Sequence, residues 1–187
     1  GGFYKDIYLS QENRPKSTEY LDSVLSEIHG LRIKELVEAR EQGRKVVGAF
    51  CVFMPEEIVL AVNGISVGLC AGAEIGKEEA ERILPRNTCA LIKAFFGFKL
   101  AKLCPYVEVC DLIVGETTCD GKKKAYELFA EYAPMHIMEI PQRKEAMDRD
   151  MWKAEVIRFK EKIEELAGKA ITAEDLGKAI KTVNDRR

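Results

Sequence analysis

Cysteines are the residues of this sequence whose chemical type and placement could support chemistry. The chain of 187 residues contains six, Cys51, Cys70, Cys89, Cys104, Cys110 and Cys119. A chain of this length can build a core without covalent staples, and its start shows no basic segment followed by a short apolar core, so we expect neither secretion nor disulfides. The thiols are therefore expected to be either buried apolar fillers or ligands of a metal centre.

Three of the cysteines are predicted to lie where a strand ends or a helix begins. Cys51 directly follows the apolar run 46–50, Cys119 lies in the loop after the run 111–115, and Cys89 stands at the start of a predicted helix. In open parallel sheets, ligands bind at the edge formed by the carboxyl ends of the strands. Helix amino ends at that edge favour thiolates, and their amides can hydrogen-bond to sulfur. The sequence thus predicts that three thiols converge on one edge.

The elements that would position these cysteines follow from hydrophobic periodicity. Short apolar runs indicate buried strands over 46–50, 65–69, 111–115 and 135–140. Helical spacing of apolar residues indicates helices over 18–41 with a break at Gly30, from 55, over 77–84, after an Asn87-Thr88 cap, after an Asp120 cap, from 145, and from Thr172 beyond Gly168. Strands that alternate with helices in this way predict a parallel sheet with helices on both faces.

The residues alone leave the role of the thiols open. Free cysteine is among the most buried residue types, and the chain has no C-x-x-C pair, so buried filler fits the spacing as well as ligation does. Zinc is a weaker candidate than an iron-sulfur cluster because compact zinc sites normally show close ligand pairs. Cys110 lies inside an apolar run and is predicted to be filler, whereas Cys70 and Cys104 are secondary ligand candidates.

Composition excludes several other classes of function. The 29 Lys and Arg nearly balance the 31 Asp and Glu, so no strong field favours nucleic acid or an anionic membrane. No apolar stretch is long enough to span a membrane, and the glycines around Cys119 form no dinucleotide or phosphate-loop fingerprint. His29 and His136 are expected to be structural. The Lys122-Lys124 run is expected to be a solvated helix start that could also face an anionic ligand such as a coenzyme A phosphate.

Four segments carry a resemblance to a known family: 50–57 (FCVFMPEE), 84–89 (LPRNTC), 103–106 (LCPY) and 115–124 (GETTCDGKKK). Together they resemble the D-component family of 2-hydroxyacyl-CoA dehydratases, which includes 2-hydroxyglutaryl-CoA dehydratase and benzoyl-CoA reductase-like proteins. The match runs from about Gly43 to the end of the chain. The last segment is most similar to the branch of double-cubane-cluster-containing anaerobic reductases.

The resemblance implies a flavodoxin-like α/β fold, with extra N- and C-terminal helices here, that holds an oxygen-sensitive [4Fe-4S] or double-cubane cluster. Carried over by motif, Cys51, Cys89 and Cys119 would be cluster ligands, with Cys104 and Cys70 as weaker candidates. It further implies a separate ATP-hydrolysing activator iron-sulfur protein, a small-molecule or acyl-CoA substrate, a cytoplasmic location, and a dimer in the full-length protein. Neither nucleic acid nor membrane is expected as a partner.

Family members are roughly twice as long as this chain, so the resemblance identifies it as an N-terminal portion. We expect an N-terminal helical segment over 1–43, an α/β cluster-binding domain over 44–141, and C-terminal helices over 142–187 that lead to a second half. The function expected is the cluster-binding part of an ATP-activated low-potential reductase. The alternatives are a 2-hydroxyacyl-CoA dehydratase subunit and an electron-transfer or scaffold domain without turnover of its own.

Overall fold

The computed structural model describes residues 10–15, 18, 20, 22, 31–69, 71 and 73–187. The chain divides into two compact units, Gly1–Gly43 and Arg44–Arg187. In the first unit, helix α1 spans Leu31–Glu41 and buries Leu36 and Ala39. This is the second part of the helix predicted over 18–41, whereas its stretch 23–30, with the break predicted at Gly30, lies outside the described residues.

A four-stranded parallel sheet forms the centre of the second unit. Its strands are β1 (Val46–Ala49), β2 (Ile65–Gly68), β3 (Leu112–Glu116) and β4 (Met135–Met138), in the spatial order β2-β1-β3-β4. All neighbouring pairs are parallel, and Ala49 of β1 stands opposite Val114 of β3. The predicted α/β class, a parallel sheet flanked by helices as in flavodoxin-like folds, is confirmed.

Helices connect the strands and continue after the last one. They are α2 (Glu56–Ala61), α3 (Lys77–Ala80), α4 (Ala90–Leu100), α5 (Pro105–Val109), α6 (Asp120–Phe129), α7 (Ala146–Ala167) and α8 (Ala173–Arg186). The capping box of Thr172 and Asp175 begins α8, and Gly168 ends α7 in the left-handed conformation that favours glycine. None of the helices in the described part of the chain is long and apolar enough to cross a membrane.

The core has two layers because successive strand residues point to opposite faces of the sheet. On one face, Leu112 and Val114 join a buried cluster that includes Phe159 and Ile163 of α7. On the other face, Gly115 lies against the ring of Tyr126, since a Cβ there would stand 2.8 Å from that ring. The second layer is aromatic, with ring centroids 4.5 to 5.9 Å apart among Phe50, Phe95, Phe96, Tyr126 and Phe129 in its closest pairs.

Side chains rather than periodicity fix several element ends. β3 begins at Leu112, one residue later than predicted. The preceding residue, Asp111, accepts a hydrogen bond from the Val46 amide through its carboxylate, at 2.8 Å. β4 ends at Met138, earlier than the predicted 140, and the Ile140 amide donates to Thr117 Oγ1 at 2.8 Å instead. Helix α3 ends at Ala80, earlier than the predicted 84, and residues 81–83 form a turn.

Gly76 and Gly97 allow α4 to pass close to the start of α3. Gly76 has a φ of 86°, and a Cβ added to it would lie 2.8 Å from the Gly97 carbonyl carbon. A Cβ on Gly97 would in turn collide with the Gly76 carbonyl. Both positions therefore require glycine, one for its backbone angle and both for the close approach.

Candidate thiol site at the carboxyl edge of the sheet

Cys51 and Cys119 lie at the carboxyl ends of two adjacent strands. Cys51 is in the loop 50–55 after β1, and Cys119 is in the loop 117–119 after β3, which pairs directly with β1. We call these two loops the cysteine edge. Cys51 is half-buried and Cys119 is exposed. Because neighbouring strands lie about 4.8 Å apart, the loops that leave them start side by side, as the sequence predicts.

Cys119 is itself the N-cap of α6. Its backbone is extended, and its Sγ accepts a hydrogen bond from the Lys122 amide at 3.4 Å. The prediction that Asp120 would cap this helix is therefore wrong, since Asp120 already belongs to the first turn and points into solvent. The cap places the thiol at the amino end of the helix, where the backbone amides of the first turn have no partner within the helix.

Cys89 occupies the same position on α4, where it is the exposed N-cap and makes no side-chain cap hydrogen bond. The predicted Asn87-Thr88 cap is wrong because these residues belong to a turn that the Thr88 amide closes on the Pro85 carbonyl at 3.0 Å. The starts of α4 and α6 are neighbours, as a Cβ on Gly121 would lie 2.7 Å from Ile92 Cδ1. Cys89 and Cys119 thus cap two adjacent helices.

The remaining cysteines differ in place. Cys104 caps α5 in the connection that enters β3 from its amino end, so it is away from the carboxyl ends that carry Cys51 and Cys119. Cys110 is buried and its Sγ donates to the Tyr106 carbonyl, which agrees with the predicted filler role. Cys70 lies outside the described residues. Within the described part of the chain, no three His, Cys, Asp or Glu side chains come together as a group that could hold a metal ion.

Glu116 ends β3 between the two loops and is completely buried. Its Oε1 accepts hydrogen bonds from the amides of Phe53 at 3.2 Å and Met54 at 3.0 Å, so the carboxylate reaches into the loop that contains Cys51. Its Oε2 is buried without a hydrogen-bond partner among the described residues. Burial raises the pKa of this carboxyl group above its ordinary value, and the two amides oppose that rise only in part.

Tyr126 of α6 is the second completely buried polar residue beneath the cysteine edge. Its ring stacks on Phe50, which directly precedes Cys51, with centroids 5.7 Å apart. Its hydroxyl has no hydrogen-bond partner in the part of the chain that is described. Burial is the largest cause that raises the pKa of this phenol, and negative charge on Glu116, Cys51 and Cys119 adds to it. Tyr126 thus lies beneath the loop that contains Cys51, through the stacking of its ring on Phe50.

Sequence reasoning did not identify Glu116 and Tyr126. Glutamate at a strand end and tyrosine on an amphipathic helix are usually half-exposed, and only packing buries them. The one local signal was the placement of Glu116 inside the motif 115–124, directly before two threonines and Cys119.

A cavity of about 610 Å³ opens beside the Cys51 loop. Its lining includes the apolar side chains Phe53 and Trp152, the cations Arg143, Lys144 and Arg149, and the carboxylate of Asp148, and Arg143 also pairs with Glu145 at 3.7 Å. An apolar floor with an excess of positive charge suits an amphipathic anion. A second cavity of about 660 Å³ contains His136, whose ring packs on Phe159 and whose pKa is lowered by burial.

The fold is that of an α/β protein with cysteines in the loops at the carboxyl ends of two adjacent parallel strands. Residues 51–187 match the family model described as "2-hydroxyglutaryl-CoA dehydratase, D-component". The chain belongs to this family. It is 44% identical over 153 residues to a protein of Escherichia coli (strain K12) named "Putative dehydratase subunit YjiM", an alignment that covers 81% of this chain and 40% of the relative. The chain thus spans less than half the length of this curated relative.

Proposed function

We propose that this chain is the iron-sulfur-binding portion of a low-potential reductase of the 2-hydroxyacyl-CoA dehydratase family. The observation that carries the proposal is the placement of Cys51 and Cys119 in the loops that follow two adjacent parallel strands. Cys89, at the start of the helix beside α6, would be the third ligand. In this proposal a separate ATP-hydrolysing iron-sulfur activator supplies the electrons, and the full-length protein acts as a cytoplasmic dimer.

The donor set suits such a cluster in its chemistry but does not form a complete site within the described residues. Thiolates are the ligands that iron-sulfur clusters take, and the amino ends of α4 and α6 offer amides that can donate to sulfur. Cys51, Cys89 and Cys119 do not come together as a three-ligand group in this structure, so cluster binding would have to draw their loops together, with further ligands from residues beyond the described ones. When bound, the cluster would supply electrons at low potential. The resemblance of 115–124 to the double-cubane branch supports two joined cubanes rather than one.

The cavity beside the Cys51 loop supports an acyl-CoA or a similar anionic substrate. Lys144 and Arg149 line the cavity and offer positive charge to phosphate or carboxylate groups, and Phe53 and Trp152 offer an apolar surface to the rest of the substrate. Phe53 is two residues from Cys51, so a substrate held here would lie next to the proposed cluster site.

A dehydratase subunit is the second candidate function. The printed name of the Escherichia coli relative and the family description both favour it. Turnover of the full-length protein with its activator would separate the two candidates, since a dehydratase releases an enoyl-CoA without net reduction, whereas a reductase consumes electrons in proportion to product.

Anaerobic reconstitution of the full-length protein that contains this chain, with iron and sulfide, tests cluster binding. The wild type, Cys51→Ala, Cys89→Ala and Cys119→Ala would be compared by iron and sulfide analysis and by EPR, with Cys110→Ala as the matched control. We expect a cluster in the wild type and the control and its loss in the other three variants. Equal cluster content in wild type and Cys51→Ala, or none in any protein, would contradict the site.

A further inference from the structure

The carboxylate of Glu116 connects its own strand to the loop that contains Cys51. One oxygen, Oε1, accepts from two successive amides, those of Phe53 and Met54. These amides lie between β1 and α2, where no side chain caps the helix: Pro55 is its N-cap and makes no such hydrogen bond. Glu116 is therefore the side chain that fixes the backbone of this loop two and three residues after Cys51.

The backbone of the same residue connects to the loop that contains Cys119. The Glu116 carbonyl accepts a hydrogen bond from the Thr118 amide at 2.7 Å, and the Thr118 hydroxyl lies 3.4 Å from it. The Lys122 ammonium in turn donates to that hydroxyl at 3.3 Å. This tight turn directly precedes Cys119. One residue thus contacts both loops of the cysteine edge, one through its side chain and the other through its carbonyl.

The burial of Glu116 is costly, which favours a role in the geometry of the loops over a role in stability. A completely buried carboxyl loses its hydration, and one oxygen of Glu116 has no partner among the described residues to replace it. An apolar side chain of the same volume would avoid that loss. The raised pKa of the group reflects the same cost. An apolar side chain could fill the space but could not accept the amides of Phe53 and Met54.

We propose that Glu116 is a positioning residue that holds the two loops of the cysteine edge in a fixed relation, so that the thiols of Cys51 and Cys119 act on one ligand. The inference rests on the proposed cluster function, but the geometric part of it can be tested without any cluster. It assigns Glu116 no contact with the cluster or the substrate.

Two substitutions of similar size separate acceptance of the amides from filling of the space. Glu116→Gln keeps a carbonyl oxygen that can accept from Phe53 and Met54, whereas Glu116→Met fills the space without an acceptor. Glu164→Met is the matched control, since the Glu164 carboxylate also accepts a backbone amide, from Ile171 at 2.6 Å, but lies at the end of α7. Circular dichroism and thermal unfolding would show which variants are folded.

The first readout is proximity of the thiols in the metal-free chain. A short dimaleimide would be applied anaerobically, and the Cys51–Cys119 cross-link would be quantified by peptide mass spectrometry. We expect the wild type, Glu116→Gln and Glu164→Met to agree within about twofold, and folded Glu116→Met to lose most of the cross-link, because only that variant leaves the Cys51 loop without its acceptor. Equal cross-linking in folded Glu116→Met and the wild type would overturn the proposal.

The second readout is metal affinity, measured by the thiolate charge-transfer absorption of added Co²⁺. Loss of an outer partner of metal ligands typically weakens affinity by about 10- to 100-fold, and we expect such a loss in Glu116→Met, with recovery in Glu116→Gln. A cross-link that depends on Glu116 in a protein that never reconstitutes a cluster would support the positioning role and reject the proposed function. A cluster that forms equally in the wild type and Glu116→Met would support the function and reject the positioning role.

Discussion

In two regions of the second unit, a glutamate carboxylate accepts hydrogen bonds from the backbone. The two carboxylates differ in burial and in the direction in which their pKa is shifted. At the α7–α8 junction, residues 164–175, the Glu164 carboxylate accepts hydrogen bonds from the Lys160 ammonium and from the Ile171 amide. These two hydrogen bonds lower its pKa. At the cysteine edge, Glu116 is completely buried, one of its oxygens has no partner among the described residues, and its pKa is raised.

The α7–α8 junction satisfies its polar groups and so favours stability, whereas the cysteine edge does not do so within the described residues. At the junction, Thr172 and Asp175 cap each other's backbone and Gly168 ends the preceding helix, so the polar groups are satisfied locally. The cysteine edge leaves the Tyr126 hydroxyl and one Glu116 oxygen buried without partners in the described chain. Buried polar atoms without partners cost stability, and such costs are typical of functional sites.

The largest expected effect concerns the free energy of unfolding, and it tests whether the apolar layers under the two regions are packed equally well. Phe129, beneath the cysteine edge, and Phe159, beneath the junction side of the sheet, are both completely buried. Replacement of either by Ala should lower the free energy of unfolding by about 3–5 kcal/mol, because each leaves a cavity. Urea denaturation measures both. A loss below about 1 kcal/mol for Phe129→Ala alone would mean that the cysteine edge lies on a loosely packed layer.

The second prediction compares the two helix caps. Thr172→Ala should lower the free energy of unfolding by about 1 kcal/mol, as is usual for the loss of a hydroxyl N-cap. Cys119→Ala should cost only a few tenths of a kcal/mol, since a thiol is a weak acceptor and its bond to the Lys122 amide is long, at 3.4 Å. Thermal unfolding of both variants measures the difference. Equal losses would show that Cys119 is there as a cap.

The smallest effect is a pH dependence of opposite sign for the two glutamates. The raised pKa of Glu116 means that its contribution to stability is present below the ordinary value of 4.5 and is lost as the pH rises through the folded-state pKa. Glu116→Gln should therefore gain stability relative to the wild type as the pH rises. The lowered pKa of Glu164 means that its contribution is present above 4.5 and is lost as the pH falls.

Glu164→Gln should accordingly be less stable than the wild type at neutral pH, and the gap should close on acidification. Urea denaturation of the wild type and both Gln variants at a series of pH values between about 3 and 8 would measure the two trends. Trends of the same sign would show that the two carboxylates do not differ in environment as described.

The sequence predicts the sheet well because its strands are short apolar runs between clear turn signals. The runs at β1 and β3 locate Cys51 and Cys119 at one edge without any tertiary information, since parallel strands must end on the same side. The cap expected at Thr172 is confirmed, whereas those expected for α4 and α6 are wrong for a physical reason. Asn, Thr and Asp are the usual caps, but at both sites the cysteine itself is the residue that precedes the first turn.

Glu116 and Tyr126 could not be predicted because their role depends on burial. A glutamate at the end of a strand is ordinarily solvated, and nothing local shows that the loop after β1 folds over it. Likewise the tyrosine fits an amphipathic helix whether its hydroxyl reaches water or not. The ligand roles of Cys51, Cys89 and Cys119 stay predictions.

The close approach of Gly76 and Gly97 has a consequence for how this chain tolerates change. A side chain at either position would collide with backbone atoms of the other. Replacing a neighbouring side chain by a smaller one cannot relieve that collision, because no side chain causes it. Gly76 and Gly97 are therefore coupled, because a substitution at either position clashes with the backbone at the other. Random mutagenesis with selection for folded protein should return glycine at both positions, while the exposed residues around them drift freely.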